Sequence, residues 1–517
     1  MIKTNTDIGW LKIIVYGAGI STVGQMSSLF LAAILQLIIA RNLGAAKSGE
    51  IALGLSLMNF FACLSLIGLD KGVLRFFPRY KSEPGKQISL SIFSGLIALA
   101  ISLLFLALFW LKPSLITGLF PEQALLIEAL PYFLLLIPGN VMIAHLGAVA
   151  QALKKFDFQA FFIQFLLPVL KISTLLLVVY WMSSDIKTVV LGFVLSTALV
   201  TLLLGTALWK SFQPVKHVLT NNVAMGGMLI FSVPLFFITI LDYGWSEGQI
   251  LILGSLVSSD KIGIFVVALR LATILSIFLT GFSAAFAPII AELHQTSNLS
   301  ELSRLLKVVT RWSTTITMPF FIVMFCFAED VMRIFGDEFI AGKFVLQVMA
   351  LGFFLNVATG PTGWFVVLTG HSYLSMINSF IALVLNIATT FFLTAKLGII
   401  GAATSIGFGL LAINILRLIQ IKSIFGIHPF SLTTWKSLVA GCMILLIGLG
   451  LNVAPWSLSH TLTVWNIFAK LVFYGVLLMS IYVGILCLFQ FDDNDRYVLG
   501  NIQGRVLKFF KGDKQPI

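Results

Sequence analysis

Long apolar stretches, separated by short polar or turn-rich breaks, follow one another along most of this chain. Most of them contain about twenty residues or more, which is the length that an α-helix needs to cross the hydrocarbon core of a bilayer. The pattern therefore predicts an all-α polytopic membrane protein with about fourteen transmembrane helices. The predicted spans are 15–41, 51–69, 88–111, 124–151, 157–182, 188–209, 227–256, 261–290, 308–328, 343–369, 374–395, 400–417, 437–453 and 464–490.

Two halves of the chain show similar features in the same order, which indicates an internal repeat. The segment QLIIARNLGAAKSGEIAL, starting at Gln36, matches QILILGSLVSSDKIGIFV, starting at Gln249, and Asn140 similarly matches Asn356. Because this offset corresponds to six spans, an even number, we expect parallel repeats, namely two six-helix lobes around a central cleft. The predicted divisions are an N-terminal lobe at 1–215, a C-terminal lobe at 216–425, two additional transmembrane helices at 426–492 and a basic cytoplasmic tail at 493–517.

The composition and the charge agree with this interpretation. The chain is 59% hydrophobic and 10% charged, with a mean hydropathy of +1.03, which lies far outside the range of soluble domains. If the amino terminus is cytoplasmic, most of the 33 Lys and Arg residues fall in inner segments, as the positive-inside rule requires. We therefore attribute the net charge of +12 to membrane topology rather than to nucleic-acid binding, and we predict that both termini are cytoplasmic.

Few ionisable residues fall inside the predicted spans, and such residues are candidates for function because an unpaired charge at membrane depth is costly. Lys171 lies in span five, Asp242 and Glu247 lie in span seven, and Arg270 lies in span eight. Glu247 and Arg270 are both roughly 14 Å below the outer surface, so they can reach one another. They form either a structural ion pair or part of a cavity lining. Lys171 either faces a cavity or pairs with Asp242 or with another residue of its lobe.

Residues that break or bend helices lie near the middle of several spans. Pro138 and Asn140 occupy span four, Asn356 and Pro361 occupy the matching span ten, and Pro234 occupies span seven. Proline removes a helical hydrogen bond and kinks the helix. These positions are either ordinary packing kinks or, because two of them match between the repeats, elements of gating.

Sequence signals for catalysis, metals or nucleotides are missing. There is no GxxxxGK[ST] phosphate-binding loop and no HExxH motif, and the four cysteines lie in apolar runs without CxxC spacing. The loops are too short for a soluble catalytic domain. We therefore expect neither an enzyme nor a bound cofactor or metal, and any transport would be driven by a gradient or by consumption of the product. Lys470, near the outer end of span fourteen, is expected to snorkel to the membrane interface.

The segment GLDKGVLRFFPRYK at residues 68–81 places several cations directly after span two. Lys71, Arg75 and Arg79 are four residues apart, a spacing that puts them on one face of a helix, although Pro78 interrupts such a helix. This cluster either anchors the cytoplasmic side to anionic headgroups or forms a cytoplasmic entrance for an anionic substrate.

Fourteen spans, this segment and the stretch LGSLVSSDKIGIFVVALRLATIL at 253–275 together resemble one known family. They are similar to the polysaccharide transporters and O-antigen flippases of the multidrug, oligosaccharidyl-lipid and polysaccharide exporter superfamily. The resemblance implies a flippase that moves a polyprenyl-pyrophosphate-linked oligosaccharide to the outer leaflet of the cytoplasmic (inner) membrane by alternating access, for the synthesis of cell-surface polysaccharide.

The resemblance also implies roles for particular residues and partners. It assigns Arg270 to the substrate cavity and Lys71, Arg75 and Arg79 to a cytoplasmic gate. Its implied partners are the lipid-linked oligosaccharide, membrane lipids and polysaccharide-assembly proteins, and its implied state is a monomer coupled, if at all, to a proton or sodium gradient. Relatives often carry an acidic residue where this chain has Gln249.

Three other functions remain open at this stage. A cation-coupled multidrug exporter of the same superfamily predicts acidic residues in the cleft, whereas this chain offers more bases than acids there. A membrane-embedded glycan polymerase or ligase predicts a large outer loop that is missing here. A scaffold without transport activity is the remaining alternative.

Overall fold

The structure is a computed structural model that describes residues 5–182, 185–212, 225–453 and 464–489. In these ranges all regular secondary structure is helical, and no strand occurs. The predicted all-α polytopic membrane fold is therefore confirmed. The predicted lobe boundary at 215 and 216 and the basic tail at 493–517 lie outside the described residues.

The helices of the first half of the chain are separated by short connections. They are α1 (Asn5–Leu66), α2 (Leu69–Phe76), α3 (Pro84–Leu111), α4 (Ser114–Thr117), α5 (Ala124–Leu134), α6 (Leu136–Ala152), α7 (Phe156–Phe158), α8 (Leu167–Trp181), α9 (Ile186–Ser211), α10 (Met225–Ser246) and α11 (Gly248–Leu256). A 3₁₀ turn (Phe77–Tyr80) follows α2, and a π-helix (Gln159–Leu166) leads into α8. Pro168 has no amide hydrogen to give to residue 164, which favours the wider turn before α8.

The second half continues the same all-helical pattern. Its helices are α12 (Ser259–Thr273), α13 (Ser276–Gln295), α14 (Leu299–Cys326), α15 (Ala328–Arg333), α16 (Lys343–Ala358), α17 (Thr362–Leu368), α18 (Ser372–Leu397), α19 (Ile399–Phe425), α20 (Leu432–Val453) and α21 (Val464–Leu488). A 3₁₀ helix (Asp337–Gly342) lies between α15 and α16.

The number of membrane spans differs from the prediction. Among the described residues, 11 helices are long and apolar enough to cross a bilayer, or up to 13 if each of two bent helix pairs is one span, so the count of fourteen is not confirmed. Predicted spans one and two both fall largely in α1, which counts once. This helix is interrupted at Gly44, whose φ of 79° is readily accessible to glycine.

The helix breaks lie close to some of the predicted positions and away from others. In span four, α5 and α6 meet at an angle of 52°, three residues before Pro138, which cannot donate a hydrogen bond to the carbonyl of Leu134. In span ten, Pro361 directly precedes α17, next to Gly360 with a φ of +72°. In span seven, α10 continues through Pro234. The two halves of span eight, α12 and α13, meet at 42°.

Backbone packing divides the described residues into two compact units. The first unit contains those within Met1–Arg270, Phe335–Gly342 and Leu383–Ser405, and the second contains those within Leu271–Ile334, Lys343–Ala382 and Ile406–Ile517.

In the first unit, α1 and α12 touch through glycines. A Cβ atom at Gly49 would lie 1.8 Å from the carbonyl oxygen of Ser259, so only glycine allows this approach. The neighbouring Glu50 carboxylate accepts hydrogen bonds from the amide of Leu126 and, at 2.9 Å, from the hydroxyl of Ser259. Glu50 therefore joins the starts of α5 and α12 to α1.

The second unit contains a buried ion pair that the sequence did not indicate. Lys470 Nζ in α21 lies 2.8 Å from Asp330 Oδ2 in α15, and the rings of Phe327 and Tyr474 stack beside these helices at 5.2 Å between centroids. The expectation that Lys470 snorkels is wrong, because its side chain is only 7% exposed and its charge is neutralised by a carboxylate 140 residues away in sequence.

Candidate functional site

The first unit carries a helix break at a charged residue. Glu247 stands between α10 and α11 with φ −122° and ψ −16°, outside the helical region. Its amide still donates to the carbonyl of Tyr243 at 2.9 Å, and its own carbonyl accepts from Ile250 at 3.0 Å. The flanking Ser246 and Gly248 are poor helix formers, which favours a break here. The break therefore places Glu247 at the junction of α10 and α11, within predicted span seven.

The Glu247 carboxylate contacts two other helices. Its Oε2 accepts a hydrogen bond from Ser56 Oγ of α1 at 2.7 Å, and its Oε1 lies 3.5 Å from Arg270 Nη2 of α12. The hydroxyl of Tyr243 donates to the carbonyl of Ser56 at 2.5 Å. The Glu247 side chain is 18% exposed, whereas the Arg270 side chain is 51% exposed. The acid is thus held by its neighbours, while the guanidinium offers an accessible cationic surface.

A buried chain of side-chain amides begins two residues further along span seven, at Gln249. Gln249 Nε2 donates to Asn386 Oδ1 of α18 at 2.9 Å, and Asn386 Nδ2 donates to the carbonyl of Ser405 of α19 at 3.2 Å. Sequence reasoning noted Gln249 but missed Asn386 and Ser405, because polar residues more than a hundred positions apart give no local signal of their contact. The chain of amides is neutral, so it places no carboxylate at Gln249.

Lys171 projects from α8, shortly after the π-helix, and its side chain is half-buried. Its ammonium lies 5.6 Å from the centre of the Phe193 ring of α9, within the range of a cation–π contact. Among the described residues it has no ion-pair partner. Asp242 belongs to α10, but its side chain lies outside the described residues, so the predicted alternative of a Lys171–Asp242 pair stays a prediction.

The cationic cluster after span two is split between two kinds of helix. Lys71 and Arg75 belong to α2, while Arg79 lies in the 3₁₀ turn, so the three do not share one continuous α-helix. All three side chains are exposed. The guanidinium groups of Arg75 and Arg79 lie over the rings of Phe231 and Phe76, at 4.0 and 4.3 Å from the centroids. Stacking fixes these groups while leaving their N–H edges available for hydrogen bonds.

The two matching asparagines make the same kind of contact. Asn140 Nδ2 donates to Asn59 Oδ1, and Asn414 Nδ2 donates to Asn356 Oδ1, each at 2.8 Å. Both pairs lie within a few residues of the break in their span. Side-chain amide pairs of this kind hold broken helices against their neighbours at membrane depth.

Tyr243→Phe tests whether the hydroxyl of Tyr243, which donates to the carbonyl of Ser56, stabilises the fold. We expect the free energy of unfolding to fall by about 1 kcal/mol, because one buried hydrogen bond to a backbone carbonyl is lost. Chemical unfolding of the purified chain in detergent micelles measures this. Tyr180→Phe, at an exposed position, is the matched control, and an equal effect of both changes would contradict the structural role of the hydroxyl.

One known family resembles this chain in sequence, and several solved structures resemble it in fold. The sequence model of the family described as polysaccharide biosynthesis protein matches residues 38–341. Among proteins of curated function, none matches the chain in sequence.

Several solved structures share the fold. A lipid II flippase MurJ in an inward closed conformation matches with a TM-score of 0.71 and 15% identity, over 90% of this chain and 98% of its own. An inward-facing multidrug resistance MATE family transporter of the MOP superfamily matches with a TM-score of 0.60 and 15% identity, over 79% and 98%. A MOP superfamily transporter from Pyrococcus furiosus, described as having a binding pocket of reverse polarity, matches with a TM-score of 0.51 and 16% identity, over 80% and 96%.

Proposed function

Because this chain belongs to the polysaccharide biosynthesis protein family, we propose that it flips a polyprenyl-pyrophosphate-linked oligosaccharide across the cytoplasmic membrane by alternating access, for the synthesis of cell-surface polysaccharide. In this proposal both termini are cytoplasmic, the protein acts as a monomer beside polysaccharide-assembly proteins, and a proton or sodium gradient is the candidate driving force.

One observation carries the proposal: Lys171, at membrane depth in the first unit, has no acid to neutralise it among the described residues. Lys171 lacks an ion-pair partner among the described residues, and Arg270 is half exposed, whereas Glu247 is engaged by Ser56 and Arg270. An unneutralised cation within a span is costly unless a ligand or water compensates it. A pyrophosphate supplies the missing negative charge, and guanidinium and ammonium groups bind phosphate oxygens well.

Two further observations support an anionic lipid-linked substrate. The exposed, stacked cations Arg75 and Arg79 lie on the predicted cytoplasmic side, where such a substrate is synthesised. The flippase with the same fold is itself named for a lipid, lipid II.

Deletion of the gene tests the proposal most directly. We expect lipid-linked glycan to accumulate on the cytoplasmic leaflet, measured by its protection from a membrane-impermeant glycan-binding probe in sealed cells. The purified full chain in proteoliposomes should restore access of the probe to the lipid-linked glycan. Unchanged glycan translocation in the deletion strain would overturn the proposal.

Removing the Arg270 charge is expected to lower the translocation rate about tenfold, because a charge-assisted contact to phosphate contributes about 1.5 kcal/mol or more. The measurement compares Arg270→Gln with the wild type in proteoliposomes. Arg304→Gln is a matched control, since Arg304 is similarly exposed, at 48%, and faces Glu301 at 2.6 Å on α14. Equal rates for both variants would assign the Glu247–Arg270 contact a purely structural role.

The second candidate is a cation-coupled multidrug exporter, which the MATE family neighbour and the Glu247 carboxylate favour. It predicts that the deletion strain loses efflux of a cationic dye while glycan translocation continues. Measuring both substrates with the same proteoliposomes separates the two functions.

A further inference from the structure

Arg417 of α19 faces the interior of the second unit. It shares one helical face with Asn414 and Ile421, which are 2% and 0% exposed. The opposite face carries Ile415 and Ile419, which are 46% and 60% exposed. The Arg417 side chain therefore does not extend along the outer surface of the unit, as a snorkelling arginine would.

The break in span ten makes room for this guanidinium. A Cβ atom at Gly363, in the first turn of α17, would lie 3.0 Å from Arg417 Cζ and 3.1 and 3.3 Å from its two terminal nitrogens. All three atoms are nearly equidistant from this point, so the guanidinium lies flat against the backbone at Gly363. A larger residue there would displace the arginine.

The polar groups at this position lack partners. Among the described residues, Arg417 makes no hydrogen bond or ion pair, and its Nε is buried. The adjoining Thr362 is 0% exposed, and its hydroxyl oxygen also has no hydrogen-bond partner. A buried donor without an acceptor costs about 1–3 kcal/mol, and more if it is charged.

The surrounding sequence contains no acid that could neutralise Arg417. From residue 339 to residue 491 the chain has neither Asp nor Glu, and this stretch includes all of α16 to α21. On the other two helices that pack beside α17, Glu301 of α14 is paired with Arg304, and Glu292 of α13 is exposed. A cation held inside helices whose acids are either paired elsewhere or exposed indicates an anionic ligand.

We propose that Arg417, together with the Thr362 hydroxyl, binds a phosphate group inside the second unit. The planar guanidinium can donate two parallel hydrogen bonds to phosphate oxygens, and the threonine hydroxyl can donate a third. The inference deepens the proposed function, on which it rests for the identity of the ligand: the phosphate belongs to the polyprenyl pyrophosphate carrier, or, with the same chemistry, to an anionic phospholipid headgroup.

Binding of farnesyl pyrophosphate to the full chain, in nanodiscs of phosphatidylcholine, tests the site. We expect Arg417→Gln to weaken binding about tenfold or more, because a charge-assisted hydrogen bond is lost. Arg417→Lys should bind with intermediate affinity, since it keeps the charge but loses the planar fork. Thr362→Val should weaken binding to a smaller extent. Lys422→Gln, an exposed change on the same helix, is the matched control and should bind as the wild type does.

Two further arms identify the source of the phosphate. Farnesol, which lacks the pyrophosphate, should not bind at this site. Nanodiscs that contain phosphatidylglycerol test the phospholipid headgroup. If phosphatidylglycerol lowers the affinity for farnesyl pyrophosphate, and does so only when Arg417 is present, the site binds the membrane lipid. If phosphatidylglycerol does not compete, the site binds the carrier. Both results support a phosphate site.

The inference would be overturned if the wild type and Arg417→Gln had equal affinities for farnesyl pyrophosphate and equal affinities for phosphatidylglycerol. Because Arg417 has no described partner to leave unpaired, we expect Arg417→Gln to remain folded, and its thermal unfolding midpoint verifies this. The measurement is binding, so its outcome can be distinguished from that of the proposed function. If the wild type translocates glycan but binding does not depend on Arg417, only this inference fails. If binding depends on Arg417 but the wild type does not translocate glycan, only the proposed function fails.

Discussion

Replacing Lys470 by methionine is expected to lower the free energy of unfolding by about 3–5 kcal/mol, because the change leaves the Asp330 carboxylate buried without its partner. The two side chains are 7% and 9% exposed, with 2.8 Å between nitrogen and oxygen. Methionine retains a long, flexible apolar chain, so the experiment removes the charge with little loss of packing. Chemical unfolding of the full chain in detergent micelles measures the difference.

Two further variants show whether burial is the cause. Lys187 Nζ lies 2.9 Å from Glu128 Oε1, a similar distance, but these side chains are 32% and 62% exposed. Lys187→Met should therefore have a much smaller effect, since solvent screens an exposed pair. Combining Lys470→Met with Asp330→Leu should recover much of the lost stability, because an apolar pair replaces a buried charge. Similar losses for Lys470→Met and Lys187→Met would contradict this account.

The Lys470–Asp330 pair also illustrates what the sequence could not reveal. The lengths of the apolar runs predicted the helical class and the approximate positions of the spans, because membrane thickness imposes a length on each helix independently of its neighbours. The partner of a buried charge depends instead on which helices pack together. Asp330 lies 140 residues before Lys470, and nothing near Lys470 in sequence indicates a carboxylate.

The Glu247–Arg270 contact was predictable because both residues lie in consecutive spans at the same estimated depth. Counting residues from the connecting segment is then sufficient to bring them together. The supporting contacts were not predictable, since Ser56 belongs to α1, nearly two hundred residues earlier.

Proline alone was also a poor guide to where helices break. The helix continues through Pro234 and breaks at Glu247, where a serine and a glycine flank the acid. In a membrane helix, neighbouring groups can satisfy the carbonyl that proline leaves free, so a single proline does not fix the position of a break. Similarly, α1 is interrupted at Gly44, where there is no proline.

Lys171→Met is expected to reduce glycan translocation by about 10- to 100-fold, a larger effect than at Arg270, because Lys171 has no described acid to share its charge. The same change should not lower stability and should raise the thermal unfolding midpoint, since an apolar side chain replaces a cation inside a span. Translocation in proteoliposomes and thermal unfolding in detergent micelles measure the two effects. Lys210→Met, at an exposed position on the neighbouring α9, should change neither.

The opposite signs of the two effects separate a ligand-binding cation from a structural one. If Asp242 neutralises Lys171, then Lys171→Met leaves a carboxylate unpaired within the span, and stability falls together with translocation. Asp242→Asn should then destabilise the protein in the same way. If Lys171 instead binds a phosphate-bearing substrate, Lys171→Arg should retain much of the translocation activity, because a guanidinium also donates charge-assisted hydrogen bonds to phosphate oxygens. If Lys171 binds the substrate but destabilises the fold, its removal should make the protein more stable and less active.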